Sequence, residues 1–405
     1  MAPAASRDEP GLVTATFLRT PILAGLRIVE LGAFIAGPIG SVELAALGAD
    51  VIRVDPPGGG IDIRRGPLHG SRSIYWAGIN QGKRSVTVDT RTEDGRRQVQ
   101  KLITAPGEGG GILLTNLPVA PWCSYEELKK LRRDVIAVVI TGKRDGTSAV
   151  DYTVNAGLGF PWVTGPEGYG RPVNHVLPAF DVMTGYLAAA AVLAAERHRR
   201  LTGDGQLVEL SLADVALAVA AHLGYIGEAI LNEQPRGRYG NDVYGTLGQE
   251  FTTSDARHVM VLALTPRQWN KLVGATGMTE RLAELEARLA LDLRDEAHRW
   301  QAREEIRAVL APWFAERSLA EVGEALDAGG VLWGPYRTFK QLVTEDPRMT
   351  SAGEMVAEVD HPGLGRFRTV GSALRFGAAA LVPPAAAPVL GQHTQEVVDE
   401  FTLDR

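Results

Sequence analysis

The sequence predicts an α/β protein, with a large domain on a doubly wound parallel sheet and a smaller α+β domain. Three observations lead there. Arg27-Ile-Val-Glu-Leu and Asp50-Val-Ile-Arg-Val-Asp55 read as buried strands flanking a helical stretch at Ser41–Leu47 that opens after the break at Ala36-Gly-Pro. Further short apolar segments at Ser85–Asp89, Gly111–Thr115 and Val135–Thr141 alternate with a polar helix from Glu93 to Ile103, the rhythm of a doubly wound parallel sheet. From 235 to 330 the texture changes: a strand pair at Thr252–Leu264 gives way to a charged, almost wholly helical run from Pro266.

The expected division is a loose leader at 1–24, a large domain at 25–234 and 331–405, and a small domain at 235–330. Within the large domain, long helices are expected from Asp181 to Arg200 and from Leu212 to Asn232. The final stretch, with Asp360-His-Pro-Gly-Leu-Gly and Pro383-Pro-Ala-Ala-Ala-Pro, returns to turns and extended segments.

Composition narrows the function classes. The chain has 405 residues, 45% hydrophobic, and a formal net charge of -6, which gives no general field for a polyanion, so no nucleic-acid partner is expected. The one cysteine, Cys123, excludes an internal disulfide and a cysteine metal cluster; it suits a reducing cytoplasm, and a small packed residue is the reading adopted. The leader contains Asp8 and Glu9 in place of the apolar centre of a secretory signal. The small-apolar run Leu187–Ala195 is shorter than the ~20 residues that cross a bilayer, so no membrane span is expected.

Other motifs fail on spacing. Gly32, Gly37 and Gly40 do not form the G-x-G-x-x-G loop that approaches a dinucleotide, although Asp55 stands where a ribose-binding acid would. Gly107–Gly111 lacks the following Lys-Ser/Thr of a triphosphate loop, and the eight histidines show no metal-ligand spacing; no metal is expected.

Several segments read together resemble the class III CoA-transferase family, the formyl-CoA transferase and carnitine CoA-transferase type. They are Gly25-Leu-Arg-Ile-Val-Glu-Leu with Ala36-Gly-Pro; Leu47-Gly-Ala-Asp-Val-Ile-Arg-Val-Asp55; Asn80-Gln-Gly-Lys-Arg-Ser85; Thr202-Gly-Asp-Gly-Gln206; Asp360-His-Pro-Gly-Leu-Gly365; and Leu390-Gly-Gln-His-Thr394. Their order spans 25–400. The resemblance implies a homodimer of interlinked ring-like subunits, each with a Rossmann-like large domain and a smaller domain, an acyl-CoA substrate and no permanently bound cofactor.

It also implies a set of site residues. Asp181 matches the catalytic aspartate, a nucleophile that exchanges acyl groups with a thioester through a mixed anhydride. The CoA contacts fall on Ile35, Ala36, Gly37, Pro38, Val88, Thr90, Arg91, Asn116 and Leu117, with Arg53 added as a cation. Two departures stand out: Ile35 replaces a glutamine, and no arginine follows Asn116, so the phosphate cation is sought at Lys143 or Arg144. Tyr244-Gly-Thr-Leu-Gly-Gln249 matches a glycine-rich lid, through Gly245 and Gly248, that closes over the anhydride in some relatives.

Arg144-Asp-Gly, Val150-Asp-Tyr-Thr-Val-Asn155, Val173-Asn-His-Val-Leu-Pro-Ala-Phe-Asp181 and Pro335-Tyr-Arg-Thr338 are similar to a branch that moves CoA within one molecule. The implied reaction takes the thioester of 2-methylfumarate from C1 to C4. His175 and Arg144 are the residues considered for the second carboxylate. Asp151 reads as structural, because a racemase would need a partner histidine upstream and none occurs between His69 and His175. An intermolecular transferase for another small acid and a 2-methylacyl-CoA racemase stay open as alternatives.

Overall fold

The computed structural model describes residues 20–233, 236–351, 353 and 355–403. The leader at 1–24 lies outside these up to residue 19; from there the chain bridges in parallel at Pro21 to Ala380. The elements that matter for function begin with β1 (Arg27–Leu31), α1 (Ala36–Ala46), β2 (Asp50–Asp55), β3 (Arg84–Thr87), α2 (Glu93–Thr104), β4 (Ile112–Thr115) and β5 (Ile136–Thr141). They continue with α3 (Asp151–Ala156), α4 (Ala179–Thr202), β6 (Leu207–Ser211), α5 (Leu212–His222), α6 (Tyr225–Leu231), β7 (Leu247–Thr252), β8 (His258–Ala263) and β9 (Leu332–Pro335).

One compact unit, 1–148 with 181–211 and 352–405, holds a six-stranded parallel sheet in the order β3-β2-β1-β4-β5-β6. Alternate side chains supply two apolar layers. Ile28, Ile112 and Leu114 pack with α1 and α4, while Val29, Ile52 and Leu113 pack with α2 and the C-terminal helix at Val397 and Val398. The edge strand β3 is covered by the C-terminal motif: Ser85 N–H donates to His393 Nδ1 (3.1 Å) and Thr87 N–H to Thr394 Oγ1 (3.0 Å).

The second unit, 149–180 with 212–351, contains the antiparallel sheet β9-β8-β7 under a helical layer, with Phe314, Leu272 and Leu326 in its core. Its bounds differ from the 235 and 331 suggested by texture. The sheet needs β9, paired from Leu332 to Pro335, to complete it, and Val154 of α3 packs with Leu212 and Ala216 of α5. The expected helix over 212–232 is also two helices, because Gly224 takes φ +82° and the chain bends by 63°.

Among the described residues α4 is the one single helix long and apolar enough to cross a bilayer, and α5 with α6 would be so only if the bent pair counted as one span. Ala188, Val192 and Ala195 instead fill the apolar layer against the sheet. Two glycines set its approach to α1: a Cβ on Gly40 would lie 2.7 Å from Gly185 O, and one on Gly185 would lie 2.7 Å from Ala36 O. Gly185→Val is therefore expected to push the helices apart and cost about 1–3 kcal/mol, the scale of overpacking. Chemical denaturation would show the midpoint falling; an unchanged midpoint would contradict the close crossing.

Candidate active site

The strand order turns over between β1 and β4, and in such sheets the crevice for ligands opens outside the carboxyl ends of the strands at that point. Here it is framed by residues 32–38 after β1 and by Asn116 and Leu117 after β4. Asn116 clamps the turn: Ala33 N–H donates to its Oδ1 (2.9 Å) and its Nδ2 donates to Ala33 O (2.7 Å). Gly37 must be glycine because a Cβ would come 2.8 Å from Asn116 Oδ1. Ile35 occupies the N-cap of α1 without a side-chain cap, so the helix start presents backbone amides of the kind that hold a diphosphate.

Beneath the turn lies a buried ionic cluster. Glu30 and Arg53 are register partners on β1 and β2. Arg53, 1% exposed, donates to Asp55 Oδ2 (2.9 Å), Glu30 Oε1 (3.3 Å), Asp62 Oδ2 (2.9 Å), Asn80 Oδ1 (3.2 Å) and Gly32 O (3.0 Å). Lys83 Nζ reaches Glu30 Oε2 (2.8 Å) and Pro38 O (3.1 Å). Arg53 is thus committed to the protein interior, which corrects its assignment as a CoA contact: turned outward, it would give up its buried ion pairs with Asp55 and Asp62.

The charges in this cluster are unequal. Burial pushes Lys83 down to about 8 against the attraction of Glu30. Burial alone would raise Glu30, but the charges of Lys83 and Arg53 and the bonds from Lys83 and Ser41 outweigh it and lower the carboxyl. Asp55 moves the other way, raised chiefly by burial.

Phe34 sits on this platform with φ +60°, a conformation that costs a non-glycine residue energy and must be held. Its N–H donates to Asp62 Oδ1 (2.9 Å), and its carbonyl accepts from the Tyr75 hydroxyl (2.6 Å). Burial first, then the negative charges of Asp62 and Asp181, push the Tyr75 hydroxyl up, so it remains a donor.

Asp181 lies in the first turn of α4, where the helix dipole favours its negative charge. Gly40 faces Ala188 and Gly185 faces Ala36, so each step toward the start of α4 runs toward the start of α1. Asp181, one turn before Gly185, therefore projects toward the 32–35 turn, in agreement with its charge acting on Tyr75.

The remaining expected residues divide. Val88 is buried with its N–H on Asp55 O (3.0 Å), Thr90 O accepts from Arg96 (2.8 Å), and Leu117 is exposed beside Thr115. Arg91 is exposed and forked onto Asp89. Lys143 and Arg144 are exposed in the turn after β5.

In the second unit, Gly248 is not part of a loose lid. It is a buried residue of β7 opposite Leu262, packed against Val243; only Tyr244, Gly245 and Thr246 form a turn. His175 pairs with Asp151 (3.4 Å), and Asp151 Oδ2 accepts from Phe180 N–H (2.7 Å), capping the start of α4. Cys123 is buried, its thiol pushed up to about 12 by burial.

Sequence reasoning missed Glu30, Asp62, Tyr75 and Arg65. The available signal was charge inside apolar strands: Glu30, Arg53 and Asp55 interrupt two otherwise buried runs.

The family description CoA-transferase family III matches residues 23–394. The chain is 49% identical to 2-methylfumaryl-CoA isomerase of Chloroflexus aurantiacus, over 94% of this chain and 93% of that protein. It is 29% identical to succinyl-CoA:mesaconate CoA-transferase of Haloarcula marismortui, over 94% and 97%. A CAIB/BAIF family protein from Brucella suis superposes with a TM-score of 0.77 at 26% identity, covering 95% of this chain and all of that one. The chain belongs to CoA-transferase family III, and it is an enzyme of CoA transfer.

Removing Arg53 tests the cluster. Arg53→Met leaves buried carboxylates without a countercharge and is expected to cost about 3–5 kcal/mol, seen as a lower denaturation midpoint. A midpoint equal to that of the unsubstituted enzyme would contradict the interior role.

Proposed function

We propose that the enzyme is an intramolecular CoA transferase that converts 2-methylfumaryl-CoA, the C1 thioester of mesaconate, into the C4 thioester. The observation that carries this reading is 49% identity, across nearly the whole chain, to a protein named for that isomerisation. Asp181 in the first turn of α4 supports it as the nucleophile.

In the proposed sequence, an Asp181 oxygen attacks the C1 carbonyl and expels CoA thiolate, leaving a mixed anhydride. The thiolate attacks the aspartyl carbonyl; the bond from that carbon to the bridging oxygen breaks, giving an aspartyl-CoA thioester and the mesaconate carboxylate. The C4 carboxylate of the same mesaconate then attacks that thioester, and the released thiolate takes the C4 acyl group and frees Asp181. Protons need not be exchanged with water. Backbone amides at the 35–38 turn and, by resemblance, Asn116, Leu117, Val88, Thr90 and Arg91 form the CoA site in this reading. Rapid return requires the diacid to stay bound, since an oriented internal partner can act at an effective molarity of about 10⁵ M or more.

The reading includes a cytoplasmic homodimer. Its support is the apolar exposure of Leu223, Ile230 and Leu231 around α5 and α6, with Leu231 82% exposed, which a second copy would cover. The interlinked arrangement comes from the resemblance.

Enzyme given mesaconyl-C1-CoA and no acceptor should form the C4 thioester, and Asp181→Ala should reduce this to background. With excess carbon-13 mesaconate present, label should enter the C4 thioester far more slowly than isomerisation proceeds. Equal rates would make the enzyme an intermolecular transferase, and deuterium uptake at the α-carbon of a saturated 2-methylacyl-CoA, with no CoA migration in mesaconyl-C1-CoA, would make it a racemase.

A further inference from the structure

We propose that Arg65 holds the second carboxylate of the substrate, the one that does not carry CoA, and so sets the preference for dicarboxylic acids. The inference rests on the reading of Asp181 as the nucleophile. Arg65 follows the short helical turn Ile61–Arg64, whose Asp62 anchors Phe34 N–H. Its guanidinium lies over two rings, 5.2 Å from the centroid of Phe34 and 5.2 Å from that of Tyr75. Those residues are themselves joined by the bond from the Tyr75 hydroxyl to Phe34 O.

The two rings form a fixed shelf. Phe34 is held by Asp62 and Tyr75, and Ser73 caps the helix Ile74–Ile79 that carries Tyr75, besides donating to Arg65 O (2.6 Å). A guanidinium stacked on aromatic faces keeps its planar N–H edge directed away from them, ready for a bidentate carboxylate. Its side chain makes no hydrogen bond or ion pair with another described residue, unlike Arg53, whose donors are all engaged in the interior.

Asp181 belongs to the same compact unit, and its charge and that of Arg65 both act on the Tyr75 hydroxyl. The helix crossing at Gly40 and Gly185 directs Asp181 toward the same 32–35 turn. A short diacid attached at Asp181 would therefore carry its other carboxylate beside a half-buried cation, where a charge-assisted bond is stronger than in open water. A monocarboxylic acyl group would gain nothing from it.

The test is binding to protein that cannot turn over. Asp181→Ala and the double variant Asp181→Ala/Arg65→Gln are titrated calorimetrically with mesaconyl-C1-CoA and with methacryloyl-CoA, which has a similar carbon skeleton and no second carboxylate. The single variant should bind the diacid thioester more tightly, and Arg65→Gln should weaken that ligand about 10–100-fold, the scale of a lost charged hydrogen bond, while leaving methacryloyl-CoA within about threefold. Equal weakening of both ligands, or of neither, overturns the assignment. Conversion of mesaconyl-C1-CoA by the Asp181→Ala protein would instead overturn the nucleophile reading.

Discussion

The arrangement of this site depends on Arg53 being unable to leave the interior. A buried guanidinium is tolerated only where its donors are matched, and here the matching groups come from four separate stretches: Glu30, Asp55, Asp62 and Asn80. Each partner then holds something else. Asp62 fixes Phe34 in its left-handed conformation, Glu30 holds Ser41 and Lys83, and Lys83 reaches the carbonyl of Pro38. The backbone from Gly32 to Pro38 is thereby set before any ligand arrives, which limits the ordering cost that binding would otherwise incur.

Chemistry and selectivity use different parts of this platform. The proposed nucleophile comes from α4, whose register against α1 is fixed by two missing side chains, Gly40 and Gly185. Asp151 supplies the cap that the preceding Pro178 cannot, by accepting from Phe180 N–H next to Asp181. In the proposed site the acyl group is read by Arg65 on its aromatic shelf, so the same aspartate could serve other acids in relatives with a different lining.

The parallel sheet was legible because its strands are short apolar runs separated by helices, and the observed bounds fall within a few residues of the expected ones at Arg84–Thr87, Ile112–Thr115 and Ile136–Thr141. The role proposed for Asp181 comes only through resemblance, since an acid in a first helical turn has an ordinary structural use. Arg53 was misplaced because a charge in a strand looks the same in sequence whether it faces a ligand or Glu30. Gly248 resembled a hinge but is required by the close packing of Val243, and the small unit's edges were hidden because β9 and α3 are distant in sequence from the elements they complete. Tyr75, Asp62 and Arg65 meet Phe34 from about 30–40 positions away, a separation at which local pattern is silent.

In the proposed site, a turn held from below by Arg53 and Asp62 receives CoA at the switch point between β1 and β4. A crystal structure of the enzyme with CoA tests it most directly. The diphosphate is expected at the start of α1, against the amides of Ala36 and Gly37, with residues 32–38 superposing on their ligand-free positions. CoA bound elsewhere, for example in the cleft of about 270 Å³ lined by Arg64, Arg72 and His361, or a turn that rebuilds on binding, would contradict it.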